Sequence, residues 1–518
     1  MDTERYRLRT FLAGLTAEQV EWHDAVELAD VAAVLEGNPR AVVFRETSGA
    51  GPGLAGNVNG SRARIGAAFG TGERQLLHEV LRRLSNAGRL VEVGRVDAPV
   101  QQVVETGPDA DLTRLPVHLQ HALDGAPYIS ASIDFTLDPA RGWTNVGIRR
   151  LMLRGRRLAG MDLNAPSDLR AIYEAHVKSK TPLPIAFAVG AHPVDFVAAS
   201  MRVPVDELLL MSRLRDAPLA VVKCITSEIR VPADAEYVIE GVVDPAGFVE
   251  AEGPYGEFLG YYGELKQNPL VRITAVTRRR DALFQTATIS GRSLARTDTA
   301  QLNALRTEVV AWQALESAVR EVESLYAIPA AGGAFHLRVS LRQRVPGEAR
   351  NAIAAIFGCL ANVKHVFVVD SDIDVFSDEQ MEWALATRFQ ADRDLVVQSG
   401  LRAMPLDPSL AGRRTWAKAG FDLTMPWAPP GSARPIAHRI PDPPRPIAQR
   451  IPDPAQPQGA GCSSLEDALA AGPKFFGELM LALGSRDGRE IVVALEEIAA
   501  AGRVMRDAEG RYCLIAAP

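Results

Sequence analysis

The sequence contains little cysteine and no long apolar run. Its four cysteines, Cys224, Cys359, Cys462 and Cys513, lie far apart and form no CxxC pair. Isolated thiols argue against a disulfide framework or a cysteine zinc site and fit a reduced compartment. No apolar run of about 18 residues is present, so no membrane-spanning helix is predicted. The N-terminus, MDTERYRLRTFLAGL, lacks the apolar core of a signal peptide. We therefore expect a cytoplasmic protein without a membrane partner.

Other signatures are also missing. The formal net charge is only -6, which gives no sign of a general nucleic-acid partner. No HExxH or GxSxG motif occurs, which argues against a classical zinc hydrolase and against a nucleophile elbow. The GTG at 70–72 lacks the third glycine of a dinucleotide-binding fingerprint.

The 518 residues are too many for one hydrophobic core, and apolar periodicity divides them into segments. Apolar, β-branched runs predict the strands of a barrel-like β domain, and helical spacing over 299–325 predicts a helix that connects two domains. A strand–helix–strand pattern at 336–369 predicts a second α/β domain. The predicted barrel strands are 128–136, 144–153, 185–189, 220–224, 237–243, 271–278 and 282–288. The predicted organisation is mixed α/β, with an N-terminal α/β domain (1–115), a central β-barrel domain (116–300), a connecting helix (301–325), a C-terminal α/β domain (326–425), a proline-rich linker (426–460) and a small module (461–518).

The last two segments differ in composition from the rest of the chain. The linker contains a duplication, RPIAHRIPDPP followed by RPIAQRIPDPA, whose prolines predict an extended spacer. The module begins with a capping box, SSLE at 463–466, and continues as helices followed by a hairpin about a turn at 508–510. This order is typical of a winged-helix-like module. Glu496 and Glu497 on its last helix would repel phosphate, so a structural or assembly role is favoured over DNA binding.

The stretch FVEAEGPYGEFLGYYG at 248–263 holds the strongest chemical signal. It places Glu252 and Glu257 five residues apart around GPYG at 253–256. Two glycines and a proline in four positions cannot continue a helix or a central strand, so a tight turn is predicted there. Two acids fixed on a stiff turn suit acid–base chemistry. The alternative is a surface turn with two solvated glutamates.

Taken together with NVGIRR at 145–150, this stretch resembles the UbiD family of reversible decarboxylases, which use prenylated FMN (prFMN). The resemblance covers roughly residues 5–425, and FLAGL near the N-terminus, VPADAEYVIEG at 231–241 and DSDIDVF at 370–376 agree with it. It implies that the central domain is a split β-barrel that binds flavin. It also implies that the C-terminal α/β domain serves oligomerisation, as a homodimer or a hexamer of dimers.

The resemblance also assigns roles to individual residues. Arg150, Glu252 and Glu257 match the family's catalytic network. Asn145, Asp168 and Glu207 match the ligands of a divalent metal, Mn²⁺ or Mg²⁺, that ties the cofactor phosphate to the protein. Asp168 stands where the family usually has histidine, and a carboxylate still suits a hard cation. The implied cofactor-binding residues are Asn145, Ile148, Arg149, Arg150, Ser167, Asp168 and Lys418.

The implied activity is non-oxidative decarboxylation of an aromatic, heteroaromatic or α,β-unsaturated acid. It involves a covalent substrate–cofactor adduct, K⁺ as a further cofactor, and a flavin prenyltransferase as cofactor supplier. Loss of carbon dioxide from an sp² carbon needs an electron sink, which a cofactor provides. Arg150 is expected to pair with a carboxylate through its planar fork. Glu257 is the expected proton donor, because burial beside an aromatic substrate favours its neutral form.

The substrate and the class of protein stay open at this point. We expect a heteroaromatic acid such as an indole or phenazine carboxylate, on the basis of family diversity alone. One alternative is a flavin-dependent oxidoreductase built on the same barrel. The other is a regulatory protein in which a degenerate decarboxylase carries a DNA-reading winged helix. An intact Arg150, Glu252 and Glu257 set argues against degeneration.

Overall fold

A computed structural model describes residues 2–48, 51–360, 362–427, 462–485, 489–507 and 511–515. The chain divides into two compact units, Met1–Trp427 and Ala428–Pro518. The predicted linker at 426–460 lies almost wholly outside the described residues, and so does the predicted hairpin turn at 508–510. No helix in the described ranges has the length and apolar character needed to cross a bilayer.

The N-terminal part of the first unit is a four-stranded sheet flanked by short helices. Its last strand, Phe284–Gln285, comes from far along the chain and pairs in parallel with Leu54–Gly56. The apolar run at 282–288 predicts a barrel strand, but these two residues pair in the N-terminal sheet instead. The sheet strands are Val20–Val26, Ala41–Thr47, Leu54–Gly56 and Phe284–Gln285, and the helices are Leu8–Ala13, Val31–Leu35, Arg62–Ala68 and Leu76–Leu84.

A six-stranded antiparallel barrel forms the centre of this unit. It closes because Tyr237–Val243 pairs with both Leu183–Val189 and Leu270–Arg278. Runs such as LPIAFAV at 183–189 suit it, because six of its seven residues are buried. In order around the barrel the strands are Tyr237–Val243, Leu183–Val189, Tyr128–Asp138, Trp143–Gly155, Leu158–Met161 and Leu270–Arg278.

Some elements around the barrel depart from the sequence prediction. Val103–Thr106, which lies before the predicted domain boundary, pairs with Leu270–Arg278. The predicted barrel strand at 220–224 instead belongs to a separate three-stranded sheet of Leu90–Glu92, Leu219–Lys223 and Arg230–Pro232. The helices between barrel strands are Asp168–Ser179, Pro193–Ser200 and Glu207–Arg215.

A long helix, Asp298–Ala318, leads from the barrel to the second α/β sheet. It is shorter than the predicted connection, because Val322–Ala327 is a strand paired with His336–Leu341. That tertiary pairing outweighs the local helical spacing. The five strands are Val322–Ala327, His336–Leu341, His365–Asp370, Thr415–Asp422 and Leu395–Arg402, and the helices are Glu348–Cys359, Asp378–Arg388 and Ala391–Asp394.

The second unit contains helices followed by a short hairpin, as predicted. Ser464 caps its first helix by accepting a hydrogen bond from the Asp467 amide. Glu496 and Glu497 are exposed on the third helix. The helices are Leu465–Ala470, Phe476–Leu483 and Arg489–Ala500, and the strands are Val504–Arg506 and Tyr512–Leu514.

Candidate active site

The stretch at 248–263 forms one arm and the tip of a β-hairpin. Glu250–Glu252 pairs with Lys266–Asn268, and Tyr255–Gly256 pairs with Tyr262–Gly263 in the same register. The prediction that the chain turns at GPYG was therefore wrong in detail. GPYG interrupts the first arm of the hairpin without reversing the chain, because the residues on both sides of it pair with the returning arm. The chain reverses after Glu257, whose amide donates to the Tyr261 carbonyl over 2.9 Å.

The interruption between the two glutamates needs its glycines. Gly253 precedes a cis bond to Pro254 and has a φ of +105°, which L side chains rarely adopt. At Gly256 a Cβ atom would lie 2.0 Å from Cδ2 of His121. A neighbouring loop holds this backbone in place, because the Asp124 carboxylate accepts from the Gly256 amide over 2.9 Å. Glu252 and Glu257 therefore project from a backbone with fixed contacts.

Arg150 joins the two glutamates directly. Its Nε and Nη2 donate to Glu252 over 2.9 and 3.3 Å, and its Nη1 and Nη2 donate to Glu257, each over 3.3 Å. Glu252 is 1% exposed and Glu257 is 6% exposed. The guanidinium thus spans two buried carboxylates with its planar fork, an arrangement that a lysine cannot reproduce.

Three further residues complete this cluster, and no motif in the sequence marks them. Asp162 lies 3.2 Å from Nη2 of Arg150, and Lys266 donates to Glu257 over 3.2 Å. Asn268 donates to Glu252 over 3.2 Å. A predicted hairpin could have identified Lys266 and Asn268, because its antiparallel return strand places Lys266 directly opposite Glu252. We call Arg150, Asp162, Glu252, Glu257, Lys266 and Asn268 the Arg150 cluster.

The charges of the Arg150 cluster do not balance. Three carboxylates face two cations, so the cluster carries one excess negative charge until it gains a proton. Burial raises the pKa of Asp162, but Arg150 and Lys266 outweigh burial and hold that pKa below its ordinary value. The three carboxylates likewise raise the pKa of Arg150 against the effect of burial. Asp162 and Arg150 therefore both stay charged at physiological pH.

Aromatic side chains cover the Arg150 cluster on one side. The Tyr255 ring centre lies 4.2 Å from the Arg150 guanidinium carbon, within cation–π distance, and 4.5 Å from the Tyr128 ring. The Tyr255 hydroxyl donates to Gln120 over 3.0 Å. Burial raises the pKa of Tyr255 and of Tyr128, so both phenols stay neutral at physiological pH. The Tyr255 ring thus packs over the Arg150 guanidinium.

A cavity of about 760 Å³ lies beside the same barrel strand. Trp143–Gly155 contributes residues to its wall and carries Arg150 just beyond it, and Ile289 lines the cavity and packs on Tyr128 and Tyr255. Arg150, Glu252 and Glu257 do not line the cavity. The predicted cofactor and metal residues that do line it are Asn145, Ile148, Arg149, Ser167, Asp168 and Glu207.

The predicted metal residues lie close together in this cavity. Asn145 Nδ2 donates to Glu207 over 2.9 Å, and the Val146 amide donates to the same carboxylate oxygen. Burial raises the pKa of Glu207 to about 7, and repulsion from Asp134 and Asp168 adds to that rise. Nowhere in the described ranges do three His, Cys, Asp or Glu side chains group as a metal site. The Asn145 amide would have to supply one ligand.

Asp168 is held less firmly than its two partners. It is the first residue of helix Asp168–Ser179, and Ser167 caps that helix by accepting from the Arg170 amide. The Asp168 side chain is 63% exposed and lies 3.5 Å from Arg141. Arg149 donates to Ser167 over 3.4 Å, which links the helix start to the barrel strand. Asp168 thus lines the same cavity as Glu207, but its side chain is mostly exposed.

Lys418 does not reach this cavity. Its ammonium donates to the Leu360 carbonyl over 2.6 Å, next to the end of helix Glu348–Cys359. Only 1% of Lys418 is exposed, and burial lowers the pKa of its ammonium to about 8. The cofactor contact predicted for Lys418 is therefore not made from this position, because the side chain satisfies a helix end in the second sheet.

Comparison with known proteins assigns the chain to a family. Residues 91–293 match the model of the 3-octaprenyl-4-hydroxybenzoate carboxy-lyase Rift-related domain, and residues 300–423 match the model of the C-terminal domain of that carboxy-lyase. An anhydromevalonate phosphate decarboxylase from Methanosarcina mazei is 30% identical over 388 residues, which are 74% of this chain and 87% of the relative.

Solved structures agree with this result. The UbiD-class enzyme HmfF from Pelotomaculum thermopropionicum, in complex with FMN, is 33% identical with a TM-score of 0.77, over 82% of this chain and 96% of HmfF. An evolved dimeric form of HmfF was solved with prFMN. The vanillic acid decarboxylase of Sedimentibacter hydroxybenzoicus, ShVdcCD, is 28% identical with a TM-score of 0.77, over 85% of this chain and 96% of the enzyme chain.

These matches cover the barrel, the long helix and the second sheet. They also include the strands that carry Arg150, Glu252 and Glu257. The flavin in the HmfF complexes fits the family resemblance of the paired motifs, and the carboxy-lyase models fit a buried cluster that carries two glutamates. The chain belongs to the UbiD family of carboxy-lyases.

Proposed function

We propose that this protein catalyses the reversible, non-oxidative decarboxylation of an aromatic, heteroaromatic or α,β-unsaturated acid. It would use prFMN with Mn²⁺ or Mg²⁺, and K⁺ as a further cation. The observation that carries the proposal is the Arg150 cluster, in which Arg150 joins the two buried glutamates Glu252 and Glu257 and three carboxylates face two cations. Proton delivery to carbon is the step for which decarboxylation needs a positioned side-chain acid.

The residues of the cavity suit a divalent cation. Glu207, Asp134 and Asp168 repel one another, as the raised pKa of Glu207 reflects. A cation between Glu207 and Asp168 would relieve this repulsion, and the Asn145 amide oxygen would add a neutral ligand. Oxygen ligands of this kind are what Mn²⁺ and Mg²⁺ prefer.

The same cavity suits a flavin. Its volume of about 760 Å³ is in the range of ligand sites, and it combines apolar side chains such as Ile148 and Ile289 with polar ones. Asn145, Ile148, Arg149, Ser167 and Asp168 would hold the cofactor from this wall. When bound, prFMN supplies the electron sink that cleavage of a carboxylate from an sp² carbon requires.

The chain's own residues perform the remaining tasks. Arg150 fixes both glutamates and is positioned to neutralise charge as the substrate carboxylate departs. We assign Glu257 as the proton donor and Glu252 as its partner, because Glu252 is held by Asn268 and Arg150 and is the more buried of the two. Tyr255 and Tyr128 cover one side of the cluster and would limit the access of water from that side.

The substrate class is proposed from the relatives. ShVdcCD is named for an aromatic acid, and the M. mazei relative is named for anhydromevalonate phosphate. We keep aromatic, heteroaromatic and α,β-unsaturated acids within the proposal, with indole and phenazine carboxylates as the first heteroaromatic candidates. Carbon dioxide is the co-product, or the co-substrate in the reverse direction.

The proposal extends to partners and place. A dimeric HmfF form and the ShVdcCD complex are known, and we propose that this chain assembles as a homodimer or a hexamer of dimers. A flavin prenyltransferase would supply the cofactor, and the cytoplasm is the proposed compartment. The winged-helix-like module is proposed to act in structure or assembly. The oxidoreductase and DNA-binding alternatives gain no specific support from the site.

One experiment tests the central claim. The chain is produced in cells that also produce a flavin prenyltransferase, and the bound cofactor is identified by mass spectrometry. Aromatic and unsaturated acids are then screened for carbon dioxide release, and non-prenylated FMN serves as the control. We expect release only with prFMN. Hydride transfer with ordinary FMN would instead indicate the oxidoreductase.

A further inference from the structure

One face of the long helix Asp298–Ala318 lines the cavity. Thr299, Leu302, Asn303 and Arg306 lie at positions i, i+3, i+4 and i+7, which share one side of an α-helix. Asn145 and Glu207 line the same cavity. A ligand in the cavity would therefore meet this helical face as well as the barrel strand.

Arg306 is the unusual residue on this face. Among the residues that the structure describes, no carboxylate and no carbonyl oxygen accepts a hydrogen bond from its guanidinium. Arg202 lines the same cavity and is also without an acceptor in the described part of the chain. Burial and the charge of Arg202 lower the pKa of Arg306 to about 10. Arg202 is exposed and Arg306 is partly buried, so the cavity presents two neighbouring guanidinium groups to a ligand with no anion from the described residues between them.

Asn59 adds a neutral donor to the same cavity. It is fully buried, and neither its amide nitrogen nor its amide oxygen has a hydrogen-bond partner within the described residues. Its backbone amide donates to Asp298, which anchors the loop to the start of the long helix. Buried polar groups are nearly always hydrogen-bonded, so an unpartnered amide beside a cavity indicates a missing ligand.

The other charges of the cavity are satisfied elsewhere. Arg141 contacts Asp138 and Asp168, and Arg149 contacts Asp134 and Ser167. Asp134 and Asp168 act on Glu207, where carboxylates suit a cation. Asp298, which also lines the cavity, accepts from the backbone amides of Asn59 and Thr288. The anion-seeking groups are Arg202 and Arg306, together with the amide of Asn59.

We propose that Arg306, Arg202 and Asn59 form a subsite for a second anionic group of the substrate, a carboxylate or a phosphate that the reaction does not remove. The inference rests on the proposed function and narrows its substrate to a dianionic acid. A monocarboxylate of indole or phenazine would leave both guanidinium groups without an anionic partner from the substrate. Charge-assisted hydrogen bonds of this kind favour the doubly charged ligand over its singly charged analogue.

The test compares matched acids by equilibrium binding to FMN-loaded protein, using calorimetry. The pairs are benzoate with benzene-1,4-dicarboxylate, and crotonate with glutaconate. We expect wild-type protein to bind the diacid of at least one pair about tenfold more tightly than the monoacid, from the usual strength of a charge-assisted hydrogen bond. We expect Arg306→Gln to lose that preference. Competition by inorganic phosphate, compared with acetate, identifies which anion the subsite takes.

Controls keep the outcome specific. Arg320→Gln removes the same charge from an exposed position just beyond the end of the long helix and should keep the preference. Arg202→Gln is the second variant if Arg306→Gln does not fold. Equal binding of both members of both pairs by the wild type would overturn the subsite. A diacid preference that survives in Arg306→Gln would overturn it as well.

Two further readouts separate the possible failures. If Arg306→Gln lowers the preference for FMN over riboflavin and leaves the diacid preference unchanged, the arginines bind the cofactor phosphate and the proposal is wrong. If the prFMN-loaded wild type releases carbon dioxide from no acid but still prefers diacids, the proposed function fails while the subsite stands.

Discussion

The Arg150 cluster and the large cavity share one barrel strand but differ in how their polar groups are satisfied. In the Arg150 cluster each charged side chain contacts an opposite charge, at distances of 2.9 to 3.3 Å. In the cavity Arg306 and Asn59 lack partners within the described residues, and Glu207 is crowded by other carboxylates. The charged side chains of the cluster are thus paired with one another without a ligand. In the cavity, Glu207 lacks a cation, and Arg202 and Arg306 lack an anion, among the described residues.

The difference fits the division of work that we propose for the two regions. Groups that move a proton must be held in a fixed geometry before the substrate arrives, and mutual ion pairs provide that. Groups that bind a cofactor, a metal or a substrate must keep their hydrogen-bonding capacity for the ligand. An unsatisfied cavity beside a satisfied cluster is therefore what an enzyme with an added cofactor requires.

The largest expected effect comes from replacing the proposed proton donor, Glu257. Glu257→Gln should lower turnover by about 100- to 10,000-fold, the usual range for a general acid, because the amide cannot deliver a proton. FMN affinity should stay unchanged, since Glu257 does not line the cavity. Steady-state carbon dioxide release and the flavin absorbance measure the two quantities. The control is Glu264→Gln, an exposed glutamate on the same hairpin. Full turnover in Glu257→Gln would remove Glu257 as proton donor.

Breaking the cluster at its centre should mainly affect stability. Arg150→Gln leaves Glu252 and Glu257 buried without their shared cation, and the free energy of unfolding should fall by about 3 kcal/mol or more. Denaturant unfolding measures the change, with Arg320→Gln as an exposed control. A loss below about 1 kcal/mol, typical of a surface ion pair, would mean that the cluster is more open to water than its burial implies.

The stability of the metal-free protein should depend on pH through the carboxyl group of Glu207. The pKa of Glu207 is raised to about 7 in the folded protein, so the folded state holds a proton that the unfolded chain loses at lower pH. Stability of the metal-free protein should therefore fall as pH rises from about 4.5 to about 7, by on the order of 1 to 2 kcal/mol after allowing for solvent.

Unfolding at both ends of this pH range, with and without Mn²⁺, measures the effect. Mn²⁺ should restore stability at the higher pH, because it pairs with the ionised carboxylate. Glu207→Gln should remove both the pH dependence and the response to Mn²⁺. A wild-type protein whose stability ignores Mn²⁺ at pH 7.5 would contradict the metal site.

The smallest effect is expected at Lys418, which lies outside both regions. Lys418→Met should change FMN affinity by less than about twofold, since the ammonium contacts a helix end rather than the cavity. Fluorescence titration of FMN measures this affinity, and Asn145→Ala provides the contrasting variant that should weaken it. A tenfold loss in Lys418→Met would restore the cofactor role that the family resemblance implies.

Part of this site could be predicted from the sequence, and part could not. Asn145, Arg150, Glu252 and Glu257 stand in short motifs, so their chemistry was visible from spacing and resemblance. Asp162 and Lys266 carry no motif, and they join the cluster because strands and hairpin arms bring them to Arg150. Arg202, Arg306 and Asn59 come from separate segments, and nothing local marks any of them as facing a cavity.

The fold shows the same limit. Apolar runs located most barrel strands within a few residues, because burial on a sheet constrains each residue locally. Whether a run joins the barrel depends on its partner strand. For this reason the predictions at 220–224 and 284–285 name the wrong sheet. The predicted connecting helix likewise runs on into 322–327, which forms a strand.

The sequence by itself determined the family, the order of elements and the two glutamates on either side of GPYG, because these depend on residue type at short spacing. Only the tertiary structure decided that GPYG interrupts a hairpin arm and that the cluster has three carboxylates for two cations. It also decided that the Lys418 ammonium donates to the Leu360 carbonyl at the end of a helix. Each of these depends on which distant segments become neighbours, and the closing of the barrel and the pairing of the hairpin bring those segments together.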